Sequence, residues 1–133
     1  MKIHSLELPS KLVDLLDSGS WSPPDSEIIE EVFGEKPVQT VFYDIETMRR
    51  ENDAWQEEIL TVYFGSPDLS HPPGDIDPSM SVLIGDLGPD LPIALDYRES
   101  ILSPRVLFLG TRVIDRWIEI SKSFEELCRR LHF

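Results

Sequence analysis

The side chains best equipped for chemistry in this 133-residue chain are carboxylates set in turn-forming sequence. Gly74-Asp75-Ile76-Asp77 and Gly85-Asp86-Leu87-Gly88-Pro89-Asp90 each bring two acids within a few residues of one another. Alternating loop carboxylates suit a hard cation such as Ca²⁺ or Mg²⁺, but neither run has the donor spacing of an EF-hand. Gly85 to Gly88 supplies two glycines without the lysine and following helix that a phosphate loop needs. Asp96 lies inside an apolar run with Arg98 beside it. That placement suits a strand-end acid paired with a base or facing solvent, and no partner for general acid catalysis accompanies it.

The remaining reactive residue types are scattered. His4 and His132 lie near the chain ends and His71 in a Pro-rich stretch, so no helix or strand sets them on one face for a metal or a triad. Cys128 falls on an apolar helical stripe, the position of a buried structural thiol rather than a nucleophile. Gly-x-Ser-x-Gly, Cys-x-x-Cys and His-Glu-x-x-His are all absent. The expectation is a chain with no catalytic residues, no metal and no cofactor.

Charge points to a different kind of function. Twenty-five acids against 12 Lys and Arg give a net charge of −13, which argues against nucleic acid or an anionic membrane as the ligand. Residues 1–80 carry 17 acids and 5 bases, whereas residues 81–133 carry 8 and 7. Between Glu51 and Tyr97 there are 10 acids and no Lys or Arg. Such a tract serves either as a solvated acidic surface or as a face that steers a basic protein partner. No apolar run approaches the roughly 18–20 residues of a membrane span, and the polar MKIHSLELPSKL start lacks a secretory core. With one cysteine and no export signal, the expected compartment is the cytoplasm.

Three short helices are expected first. Leu12, Leu15 and Leu16 form a stripe ended by Gly19; Asp25 caps a helix with Ile28, Ile29, Val32 and Phe33 ended by Gly34; Asp44 caps a third with Ile45, Met48, Asn52 and Trp55 on successive turns. Ile59–Phe64, rich in β-branched and aromatic residues, predicts a strand, and the Pro- and Asp-dense stretch after it a loop. From Ser81 strands follow closely. Val82-Leu83-Ile84 and Val106 to Leu109 are apolar on both faces, and in Trp117 to Ser121 alternation puts Ile118 and Ile120 inward and Trp117 outward, in reach of a partner. Trp21, after Gly19-Ser20, suits core or rim packing. Ser123-Phe124-Glu125-Glu126 matches a capping box for a last helix with Phe124, Leu127, Cys128 and Leu131 on one stripe. Short connections and terminal helices predict an α+β fold: a single, mainly antiparallel sheet of about five or six strands flanked by helices, the C-terminal helix packed on it.

Three ordered pieces carry a resemblance: Val41-Phe42-Tyr43-Asp44-Ile45-Glu46-Thr47-Met48 into Arg49-Arg50-Glu51-Asn52; Val82-Leu83-Ile84-Gly85-Asp86 with Pro92-Ile93-Ala94-Leu95-Asp96-Tyr97-Arg98; and Ile118 to Leu127. In order and spacing the chain resembles the SUKH superfamily, which includes fungal cell-wall-synthesis regulators and bacterial immunity proteins. It departs where the family often has an Asn-Gly-type turn, having Leu15-Leu16-Asp17-Ser18-Gly19-Ser20-Trp21 instead. The resemblance implies one non-enzymatic protein-binding domain over 1–133, an immunity protein that occludes the basic active-site surface of a toxin. Asp75, Asp77, Asp86, Asp90 and Trp117 are the expected partner-binding residues. The alternatives are a regulatory scaffold for signalling or cell-wall assembly, and a small metal-dependent enzyme using the loop carboxylates.

Overall fold

A computed structural model describes all residues 1–133. Its apolar positions, spread through the whole chain, join in one core of 31 buried residues. The chain opens with an unforeseen two-stranded hairpin, β1 (Lys2–Ile3) and β2 (Leu6–Glu7), turned at His4 with φ 54°. Helices α1 (Ser10–Asp17) and α2 (Ser26–Phe33) follow, then β3 (Val41–Phe42) and α3 (Ile45–Gln56). The second half carries β4 (Pro73–Gly74), β5 (Ser81–Asp86), β6 (Pro92–Asp96), β7 (Arg105–Leu109), β8 (Trp117–Ser121) and α4 (Phe124–Arg130). Strands β3 to β8 form one antiparallel sheet in the order β3-β5-β6-β7-β8-β4, so the α+β expectation holds, with α4 packed on β7 and β8.

The helix ends follow local chemistry with two differences. The Asp44 carboxylate accepts from the Thr47 N–H as a helix cap should, and Gly34 closes α2 in the left-handed region at φ 75°. Asp25 precedes α2 but makes no side-chain capping bond. Ser123 accepts from the Glu126 N–H, while Glu126 reaches back to the N–H of Lys122 rather than to that of Ser123.

The long edge of β5 is closed by a side chain as well as a strand. Strand β3 covers only Gly85 and Asp86. Beyond it, the buried Asn52 of α3 donates from Nδ2 to the Leu83 carbonyl and accepts from the Leu83 N–H through Oδ1, both at 2.8 Å. One amide thus replaces the missing strand and anchors α3 to the sheet.

Three expectations are corrected. Ile59–Phe64 is no strand; Thr61–Phe64 makes a 3₁₀ turn, with Ile59, Leu60 and Val62 exposed. The side of β8 away from β7 is paired with Pro73–Gly74 instead. The stretch 66–79 is accordingly no simple loop. Gly65 (φ 66°) and Gly74 (φ 84°) lie so close that a Cβ on either would come within 2.2 Å of backbone oxygen across the contact, which only glycine allows. Ile76 is buried, and its N–H donates to the Phe64 carbonyl.

The third correction is Trp117, which is fully buried. Alternation along β8 separates two faces, but the face read as outward is covered by the returning 59–64 segment. The Trp117 indole donates to the Tyr63 carbonyl at 2.8 Å, and its ring lies 6.1 Å from that of Trp55. Ile118 and Ile120, expected inward, are half-buried.

Candidate functional site

The acids of the base-free tract take up different roles once folded. Asp68, Asp75 and Asp96 reach the arginines Arg116, Arg98 and Arg105 from outside the tract, and Asp53 reaches His4. Asp75 therefore braces the fold, accepting from Arg98 at 3.0 Å. Asp77 caps the 3₁₀ turn Pro78–Met80, accepting from the N–H and hydroxyl of Ser79. The other two expected acids, Asp86 and Asp90, come together with residues that sequence reasoning did not single out.

They line a cleft of about 320 Å³ between α3 and the β5–β6 hairpin, with Glu51, Ala54, Trp55 and Glu58 on one side and Tyr43, Tyr63, Leu83, Leu91 and Pro92 completing it. Four carboxylates and three aromatic rings share this hollow, and no Lys, Arg or His lines it. None of the four carboxylates belongs to an ion pair. Glu51, Ala54, Trp55 and Glu58 stand at i, i+3, i+4 and i+7, so one helical stripe running just past the end of α3 presents them together. That spacing, at the very start of the base-free tract, was the available signal for Glu51 and Glu58.

Each side chain is held by a different device. Trp55 is buried, its indole donating to the Ser81 hydroxyl at 2.9 Å, its ring edge-on to Phe64. Tyr43, at the end of β3, donates its hydroxyl to Asp86 Oδ2 at 3.0 Å. Burial, then the charge and hydrogen bond of Asp86 and the charge of Glu51, push the Tyr43 phenol well above its ordinary range, so it remains a donor. Glu58 Oε1 accepts from the N–H groups of Ile59 and Leu60, curling the chain at the cleft rim. Asp90 is exposed in the hairpin turn with φ 61°, a conformation Asp tolerates.

Asp86 is the electrostatically uneasy member. Burial raises its pKa above the ordinary carboxylate value, the Tyr43 hydrogen bond opposes this, and the charge of Glu51 adds to it. A folded value above the unfolded one means that the ionised carboxylate weakens the fold at neutral pH, and that the penalty is relieved as pH falls through the raised value. Asp86→Asn keeps an oxygen for the Tyr43 hydroxyl and removes the charge. Its expected melting temperature at pH 7 is at or above that of the wild type, with the advantage gone below the ordinary carboxylate value near 3.8. Thermal scans from pH 7 to pH 3 check this, and a clear destabilisation by Asp86→Asn at pH 7 would contradict it.

Elsewhere the titratable groups are structural. Burial pushes the Cys128 thiol up to about 11, as fits its core position. Glu35, also buried and unforeseen, accepts from the Thr111 N–H and hydroxyl and ties the end of α2 to the segment after β7. No three His, Cys, Asp or Glu side chains converge in a group able to hold a metal ion, and no helix is long and apolar enough to cross a membrane. Comparison with protein-family models, with curated proteins and with solved structures finds no match for this chain.

Proposed function

We propose that this is a non-enzymatic binding domain that captures a basic protein surface through the cleft between α3 and the β5–β6 hairpin. The observation that carries the reading is the convergence of Glu51, Glu58, Asp86 and Asp90 on one hollow without a counter-charge, whereas Asp68, Asp75 and Asp96 of the same tract are paired with arginines. Keeping Asp86 beside Glu51 in a partly desolvated hollow works against stability, and a perturbed group lining a cleft is a candidate for a functional site. A cationic partner would relieve the repulsion on binding and would be drawn in at long range by the −13 net charge. The resemblance to the SUKH superfamily supports an immunity protein that neutralises a toxin by occluding its basic active-site surface. A scaffold role would use the same cleft and differ in the partner.

Co-expression with a basic toxin domain encoded beside this gene tests the proposal. Protection of cells and a stable complex are expected at low salt, with affinity falling as salt rises. The double reversal Glu51→Lys with Asp86→Lys should cost at least about a hundredfold in affinity, while Asp77→Lys, outside the cleft, costs less than about threefold. Binding indifferent to salt and to the cleft reversal would sink this reading.

A further inference from the structure

At about 320 Å³ the cleft holds a side chain or a short segment rather than a folded surface, so a partner enters it through a projecting group. Its lining sets three aromatic side chains, Trp55 and Tyr43 buried and Tyr63 half-buried, beside the carboxylates. A planar guanidinium stacks on such rings and sheds its water more cheaply than a compact ammonium, while its fork of donors can reach two carboxylates at once. Glu51 and Asp86 are near enough for Glu51 to raise the pKa of Asp86, and Tyr43 occupies Asp86 Oδ2 but leaves Oδ1 facing no side-chain donor.

The rim adds a second requirement. Between Glu58 and Tyr63, both lining the cleft, the chain turns Ile59, Leu60 and Val62 outward at 84%, 55% and 54% exposure. Three large apolar side chains in four residues, beside a charged hollow, offer apolar area for a bound segment to cover. The geometry points to an arginine side chain, carried on an extended partner segment with apolar residues beside it, as the group this cleft receives. This deepens the binding reading above and rests on it.

The peptides acetyl-Leu-Arg-Leu-amide, its lysine and citrulline counterparts, and free arginine amide test it by NMR of the tryptophan indole N–H signals. The arginine peptide is expected to shift the Trp55 signal saturably while leaving Trp21, packed between Phe42 and Phe124, unmoved. Lysine should bind several-fold more weakly and citrulline not at all. Glu51→Gln with Asp86→Asn should weaken the arginine peptide roughly tenfold. Leu60→Ser with Val62→Ser should remove only the advantage of the flanked peptide over arginine amide. Equal binding of arginine and lysine, no saturable Trp55 shift, or a shift that survives loss of the two carboxylates overturns the inference. Arginine amide binding as tightly as the peptide also overturns it, in favour of a small cationic metabolite. A toxin domain that binds with the expected salt and charge dependence while the peptides stay silent would defeat this inference alone and leave the binding reading standing.

Discussion

Asp96→Asn is expected to lower the unfolding free energy by about 3 kcal/mol, and the melting temperature by on the order of 10 °C. The Asp96 carboxylate is fully buried at the end of β6 and accepts from Arg98 Nε at 3.0 Å and Arg105 Nε at 2.8 Å. Arg98 continues to Asp75, and Arg105 to Glu99 and Glu119, so one carboxylate links β6, β7, β8 and the stretch after β4. An asparagine of the same size removes the charge and turns its amide towards one guanidinium, leaving two partly buried arginines under-compensated. The loss falls at the lower end of the range for broken buried pairs because both arginines keep their outer carboxylates. Urea unfolding checks the figure, with unchanged slope expected. The comparison is Asp90→Asn, exposed and in a backbone conformation Asn also tolerates, which should stay within about 0.5 kcal/mol of wild type. Equal stability of Asp96→Asn and Asp90→Asn would show that the network does not carry the sheet.

Asn52→Leu should cost a comparable amount, about 3 kcal/mol, by a different route. The leucine fits a buried helical position, so the loss is one of hydrogen bonding. The N–H and C=O of Leu83 both lose their partner on a buried strand, at about 1–3 kcal/mol for each orphaned group. Asn52→Asp should be worse than neutral replacement, since a carboxylate would face the Leu83 carbonyl in place of the donor. Amide exchange gives the specific signature. Leu83 should lose protection in Asn52→Leu well before its neighbours in β5, whose bonds to β6 remain. Uniform loss across the sheet would mean that Asn52 acts only through global packing.

These residues show where sequence reasoning succeeds. Met48, Asn52 and Trp55 share a stripe because helical spacing is local, and a helix over Ile45–Gln56 with that buried face was legible. So were the doubly apolar strands β5 and β7, the caps at Asp44 and Ser123, and the burial of Cys128 and Trp21. What Asn52 bonds to was not legible, because Leu83 lies 31 residues away. Ile59–Phe64 shows the opposite failure: its composition suits a strand, yet a strand needs a partner distant in the chain, and Pro73–Gly74 pairs with β8 instead.

The candidate site divides in the same manner. Of the five residues expected to meet a partner, Asp86 and Asp90 line one cleft, whereas Asp75 and Asp77 serve as brace and cap, and Trp117 is buried with its indole bonded to the Tyr63 carbonyl. Glu51 and Glu58 joined them through α3, and the aromatic lining came from three separate segments. By itself the sequence determined the four helices, the strands from Ser81 onward, the fold class and a long tract of acids without bases, since periodicity, capping and net charge depend on neighbours in the chain. Only the tertiary structure decided which acids would be paired with arginines and which would gather in a cleft without a counter-charge. Arg98, Arg105 and Arg116 lie outside the tract, and an ion pair depends on separation in space rather than along the chain.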